Sequence, residues 1–138
     1  MKTLCFLGDS ITRRGYWIAE IFEYLKKDRV RVYNCGVSGD SASAAIMRLY
    51  VDCLSRTPDT VVMMFGMNDI GRTLYDEGAG DTTEKRHARI EKYKASIRTL
   101  SEMIRSAGIM VMVIPIICIY PFLQKYFTKG VLVGAVKE

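Results

Sequence analysis

Apolar and polar positions along this chain follow two spacings that alternate from the first residues. The run TLCFLG at 3–8 is apolar throughout and closes on glycine, as a strand buried on both faces does. After it, YWIAEIFEYLKKD places Ile18, Ile21, Phe22 and Leu25 at helical spacing. VRVYN then alternates like a strand, and SASAAIMRLYVDCLSR brings Ala42, Ala45, Ile46, Leu49 and Cys53 onto one helical face. Pro58 and Asp59 break the chain before a third apolar run, TVVMMFG. From Asp81 to Ala107 a long stripe of Ile90, Tyr93, Ile97, Leu100 and Ile104 predicts a helix, with Asp81 and Glu84 able to cap its start and Gly108 its end. IMVMVIP follows as a fourth strand.

Strands without a polar face, separated by amphipathic helices, belong in a parallel sheet covered on both sides. The predicted fold class is therefore α/β, a doubly wound parallel sheet with helices on both faces. Such sheets bind ligands beyond the carboxyl ends of their strands, so the first three strand-to-helix connections, GDSIT, NCGVSGDS and GMNDIG, should converge on one site.

Composition narrows the class without changing it. With 138 residues, 49% of them hydrophobic, the chain suits one domain with one core. The net charge of +5 comes from basic residues spread over several segments and interleaved with acids, which predicts solvated helix faces and no nucleic-acid partner. No apolar run is long enough to span a bilayer and the start shows no signal-peptide pattern, so a cytoplasmic location is the expectation. Cys5, Cys35, Cys53 and Cys118 form no C-x-x-C pair and lie mostly in apolar surroundings; they are expected to be reduced core thiols, with no metal site.

The three loops carry the candidate chemistry. Ser10 stands at a strand-to-helix turn, where its hydroxyl can be exposed above the sheet and its N–H lies near a helix N-terminus. Gly39 lets the backbone approach a bound group and offers an N–H, and Asn68 adds a side-chain amide. A nucleophile with donors from separate loops matches acyl transfer through a tetrahedral intermediate, in which charge develops on the former carbonyl oxygen. Each motif alone also reads as a plain turn or helix cap. It is the placement of one at the end of each successive strand that points to a site. Asp9 and Arg13, flanking the serine, are candidates for substrate contact, although Arg13 and Arg14 also fit an exposed first helical turn.

These blocks resemble the SGNH hydrolase superfamily, the GDSL-type lipases and esterases. GDS, GVSGD and GMND correspond to three of that family's four blocks, in order, over residues from about 4 to 115. The resemblance implies Ser10 as nucleophile, with the Gly39 N–H and the Asn68 amide as oxyanion donors. It also implies hydrolysis of small-molecule esters or thioesters without metal or organic cofactor, in an SGNH-type fold.

The fourth block, D-x-x-H, which carries the family's catalytic histidine, is missing. After Pro115 the chain contains neither histidine nor aspartate, and Glu138 is its one acid. The expectation is a core at 1–115 with an atypical tail at 116–138 that replaces the last strand and helix, as in a truncated or frame-shifted product. Weak or absent activity would follow, since serine needs a paired base. The single histidine, His87, with Glu84 three positions earlier on a helix, is the one substitute base the chain offers, although its neighbours Lys85, Arg86 and Arg89 also suit a solvated helix start. Two other readings remain: a non-catalytic binding module on the same fold, and a nucleotide- or phosphate-binding flavodoxin-like domain using the same loop positions, which would want the P-loop lysine or G-x-G-x-x-G that is absent here. An uncovered last strand also raises the prospect of a homo-oligomer.

Overall fold

The computed structural model describes residues 1–75 and 80–115, with backbone alone at 72–75. Four strands, β1 (Thr3–Gly8), β2 (Arg31–Gly36), β3 (Thr60–Met64) and β4 (Met110–Val113), pair in parallel in the order β2-β1-β3-β4. Five helices join them: α1 (Ser10–Arg14), α2 (Tyr16–Leu25), α3 (Ala42–Asp52), α4 (Met67–Tyr75) and α5 (Thr83–Ser106). The chain steps from β1 out to β2 and then crosses back to β3 on the other side of β1. That reversal opens a crevice at the carboxyl ends of β1 and β3.

Alternation along the central strands divides the core in two. Cys5 and Leu7 of β1 and Val61 and Met63 of β3, with Phe65 just beyond, face α3 and α5, where they meet Ala42, Ala45, Leu49, Leu100 and Ile104. Phe6 and Val62 point the other way onto Ile18 of α2. The Trp17 ring stands edge-on to Phe6 with centroids 5.1 Å apart, an arrangement that the ring quadrupoles favour. Helices thus cover both faces, as the pattern predicts. The α2 stripe is rotated from its expected face: Trp17, Ile18 and Ile21 pack inward, while Phe22 is exposed.

Two helices have no counterpart among the predicted elements, since α1 and α4 lie within segments read as loops. The start of α5 differs in detail too. Thr82 is its cap, its hydroxyl accepting the Lys85 N–H at 3.3 Å, while Asp81 pairs with Arg86 and Arg89. At the other end Gly108, with φ +75°, donates its N–H to the Arg105 carbonyl and stops the helix as expected. No described helix is long and apolar enough to cross a membrane. Residues 116–138, the expected atypical tail, lie outside the described residues.

Candidate active site

The loop after β1 is built around close contact. Gly8 ends the strand, and a Cβ there would sit 2.6 Å from the Met64 carbonyl oxygen and press into the Thr12 side chain. A Cβ on Gly36, at the end of β2, would fall 2.7 Å from Cα of Arg13. With both side chains absent, α1 settles directly on the strand ends and presents Ser10 as its first residue. Asp9 caps the helix, its Oδ1 accepting the Ile11 N–H at 2.9 Å, and Asn34 of β2 donates its amide to the Thr12 carbonyl at 2.8 Å. Ser10 is half-buried at the crevice, whereas Asp9 is 1% exposed.

The second and third loops are tied to the first and to each other. The Val37 N–H donates to the Gly8 carbonyl at 3.0 Å, and the Asp40 N–H closes a turn on the Val37 carbonyl at 3.3 Å. Gly39, φ +77°, lies at the exposed tip of that turn with open space around it. Asn68 donates through Nδ2 to the Asp40 carbonyl at 2.8 Å, which holds its amide beside the Gly39 turn. The neighbouring Asp69 accepts the Ala42 N–H with both carboxylate oxygens, at 3.0 and 3.2 Å, and so caps α3 from across the site alongside Ser41.

Beneath these loops lies a residue that pattern reading passed over. Arg48, in α3, is 17% exposed at its side chain and donates to the Gly8 carbonyl at 3.0 Å, the Cys35 carbonyl at 2.8 Å and Asp40 at 2.8 Å. It also pairs with Asp52 at 3.1 Å. The planar guanidinium, with five donors in a fixed fork, can serve all these acceptors at once, and it fastens the ends of β1 and β2 to the start of α3. A faint signal exists in the sequence, where Arg48 stands between apolar neighbours with Asp52 four positions on. From α5, the Tyr93 hydroxyl donates to the Phe65 carbonyl at 3.0 Å and anchors that helix to the end of β3.

Acidic groups crowd the floor of the crevice. Burial pushes the Asp9 carboxyl above the usual carboxylate range, and the charges of Asp69 and Asp40 add to it. Burial likewise raises Asp69, with Asp40 contributing. The Tyr93 phenol is raised by burial and by the charges of Asp69 and Asp9.

His87 lies elsewhere. Its side chain is exposed on the first part of α5, where it acts on Glu91 one helical turn later. Glu84 is engaged with Thr82 and its own backbone N–H, as in a helix cap, so the sequence pairing of Glu84 with His87 does not form. Arg13 points outward from the last turn of α1. The structure therefore brings Ser10, Gly39 and Asn68 to the ends of three strands, places Asp9 under them as a cap, and leaves Arg13 and His87 on the outside.

Known proteins are similar to this chain in sequence and in fold. An acetylxylan esterase of Geobacillus stearothermophilus is 28% identical over 118 residues, covering 72% of this chain and 52% of its own length. The structure of a catalytic mutant of an acetylxylan esterase from the same organism superposes with a TM-score of 0.66 at 25% identity, over 83% of this chain and 59% of that one. A gut microbial diltiazem-metabolizing enzyme superposes with a TM-score of 0.72 at 25% identity, over 81% of this chain and 26% of that one. This chain thus spans about half the length of the acetylxylan esterases it matches. Protein LplC of Bacillus subtilis is 53% identical, but over 34 residues only, a quarter of the chain. The model of the GDSL-like lipase/acylhydrolase family matches residues 6–131, nearly the whole sequence, and the chain belongs to that family.

Proposed function

We propose that this chain carries the catalytic face of a serine ester hydrolase. Ser10 Oγ attacks the ester carbonyl carbon, and the carbonyl oxygen takes up negative charge as the tetrahedral intermediate forms. The N–H groups of Ser10 and Gly39 and the amide of Asn68 donate to that oxygen. Collapse of the intermediate expels the alcohol and leaves an acyl group on Ser10, which water then removes. The observation that carries the reading is the 2.8 Å bond from Asn68 to the Asp40 carbonyl, because it sets the side-chain donor of the third loop beside the backbone donor of the second.

Small esters are the proposed substrates. The acetylxylan esterase relatives favour an acetyl group on a carbohydrate hydroxyl as the leading case. A base must take the Ser10 proton, and the sequence has no D-x-x-H to supply it. Turnover by this chain is therefore expected to be weak, since an oxyanion hole and binding alone leave about 10³–10⁴-fold acceleration over water in serine hydrolases stripped of triad members. That same gap favours a second reading, a module that binds esters without hydrolysing them.

Hydrolysis of p-nitrophenyl acetate by the full chain, beside Ser10→Ala and His87→Ala variants, separates the two. Slow hydrolysis that disappears in Ser10→Ala is the expected result, with His87→Ala unchanged because that imidazole faces solvent on α5. Ester binding with hydrolysis at background in both the parent and Ser10→Ala would overturn the hydrolase reading in favour of the binding module. Strong turnover abolished by His87→Ala would instead make His87 the base.

A further inference from the structure

Among the described residues, three cysteines meet at one place. Cys5 comes from β1, Cys35 from β2 and Cys53 from the C-terminal cap of α3. Cys5 lies opposite Tyr33 in the parallel register and Cys35 opposite Leu7, so the two thiols stand on the same face of adjacent strands, two positions apart. Cys53 descends onto them from the helix above. The three Sγ atoms lie within 4.8 Å of one another, and all three residues are buried.

We propose that this cluster is a binding site for one soft monovalent metal ion, Cu(I), held in trigonal geometry by the sulfurs of Cys5, Cys35 and Cys53. The dimensions suit it. Metal–sulfur bonds of about 2.3 Å in a planar three-coordinate site put the sulfurs about 4 Å apart, so the cluster needs to contract by less than about 1 Å. The donor set selects the ion. Thiolates favour Cu(I) over hard cations, and the group contains no histidine, aspartate or glutamate ligand among the described residues to complete the tetrahedron that structural zinc prefers.

The surroundings fit a closed, largely apolar site. Leu7, Leu49 and Val61 belong to the same buried cluster, and Tyr33 and Leu54 pack against it. The Arg56 guanidinium sits 4.6 Å from the centroid of the Tyr33 ring and is close enough to Cys5 and Cys35 to act on both electrostatically, which offsets part of the thiolate charge. The Cys35 thiol spends its hydrogen on the Asp52 carbonyl at 3.1 Å, an interaction that gives way when the sulfur turns to metal. Each ligating thiol releases its proton to solvent as its S–Cu bond forms, and no electron is transferred. Cysteines spaced 30 and 18 positions apart carry no metal signature in the sequence; it is the packing of α3 against β1 and β2 that creates one.

Anaerobic titration of the reduced full chain with Cu(I), in competition with bicinchoninate, tests the site. One ion per chain should be withdrawn from the chelator, with thiolate-to-copper charge-transfer absorption in the near ultraviolet and three sulfur neighbours in the X-ray absorption spectrum. Cys118→Ser should bind as the parent does. Cys35→Ser and Cys53→Ser should each weaken binding by more than the roughly 10–100-fold that altering a ligand's supporting partner costs. Failure to withdraw Cu(I), two sulfur neighbours in place of three, loss of binding with Cys118→Ser, or unchanged binding in Cys35→Ser and Cys53→Ser would each overturn the proposal. So would tighter binding of Zn²⁺ offered in parallel. Should the serine variants fail to fold, the absorption spectrum of the unaltered chain decides by its sulfur count.

Discussion

Asp9 shows how the side chain next to Ser10 can serve shape at a cost in electrostatics. Its Oδ1 caps α1 through the Ile11 N–H, while Oδ2 is buried without a hydrogen-bond partner among the described residues. Burial raises its carboxyl above the ordinary value, and Asp69 and Asp40 add to the shift. The folded protein therefore holds the Asp9 proton more firmly than the unfolded chain does, so this group's favourable contribution is complete below the unfolded value near about 3.9 and is lost as pH rises through the folded value. Asp9→Asn keeps an acceptor for Ile11 and removes the buried charge. The variant is expected to have a higher urea midpoint than the parent at neutral pH, with the advantage shrinking on acidification. An advantage that grows toward acid, or a lower midpoint at neutral pH, would show that the Asp9 charge is compensated in a way the buried Oδ2 does not reveal.

At the scale of elements, the short helix α1 depends on two glycines at the ends of the strands beneath it. Gly8→Ala would drive a Cβ against the Met64 carbonyl oxygen, a backbone atom that cannot swing away. A loss of about 1–3 kcal/mol is expected from such overpacking, together with displacement of Ser10 and loss of whatever Ser10-dependent turnover the chain has. Gly39→Ala meets nothing within 4 Å, so its cost arises only from φ +77° and should be about 1–2 kcal/mol. Thermal unfolding of the two variants beside the parent checks both values, and a Gly8→Ala protein as stable as the parent would mean that α1 does not rest on β1 as described. Neither α1 nor α4 was legible in the chain as periodic sequence. Five residues are too few to show a 3.6-residue repeat, and α4 begins in Met67-Asn68-Asp69 and contains Gly71, residue types that turns also favour.

For the molecule as a whole, the strand order places β4 at one edge of the four-stranded sheet. Met110, Met112 and Val113 are exposed there, and among the described residues no further strand pairs with β4. An apolar edge whose backbone groups meet no further strand among the described residues invites pairing with a second chain, so light scattering is expected to show association that grows with concentration; a monomer at every concentration would refute this. The sequence alone determined the succession of the four strands with α2, α3 and α5 between them, the α/β class and the three loops that carry Ser10, Gly39 and Asn68. Those features are local, written in apolar periods and in glycine and turn chemistry that act within a few residues of one another. Tertiary structure decided what lies across the chain: the order β2-β1-β3-β4, the Arg48 guanidinium on a Gly8 carbonyl 40 residues earlier, the Tyr93 hydroxyl on Phe65, and the meeting of Cys5, Cys35 and Cys53. No local pattern encodes these contacts, because each depends on which strand the crossover sets beside which and on how far a helix descends onto the sheet.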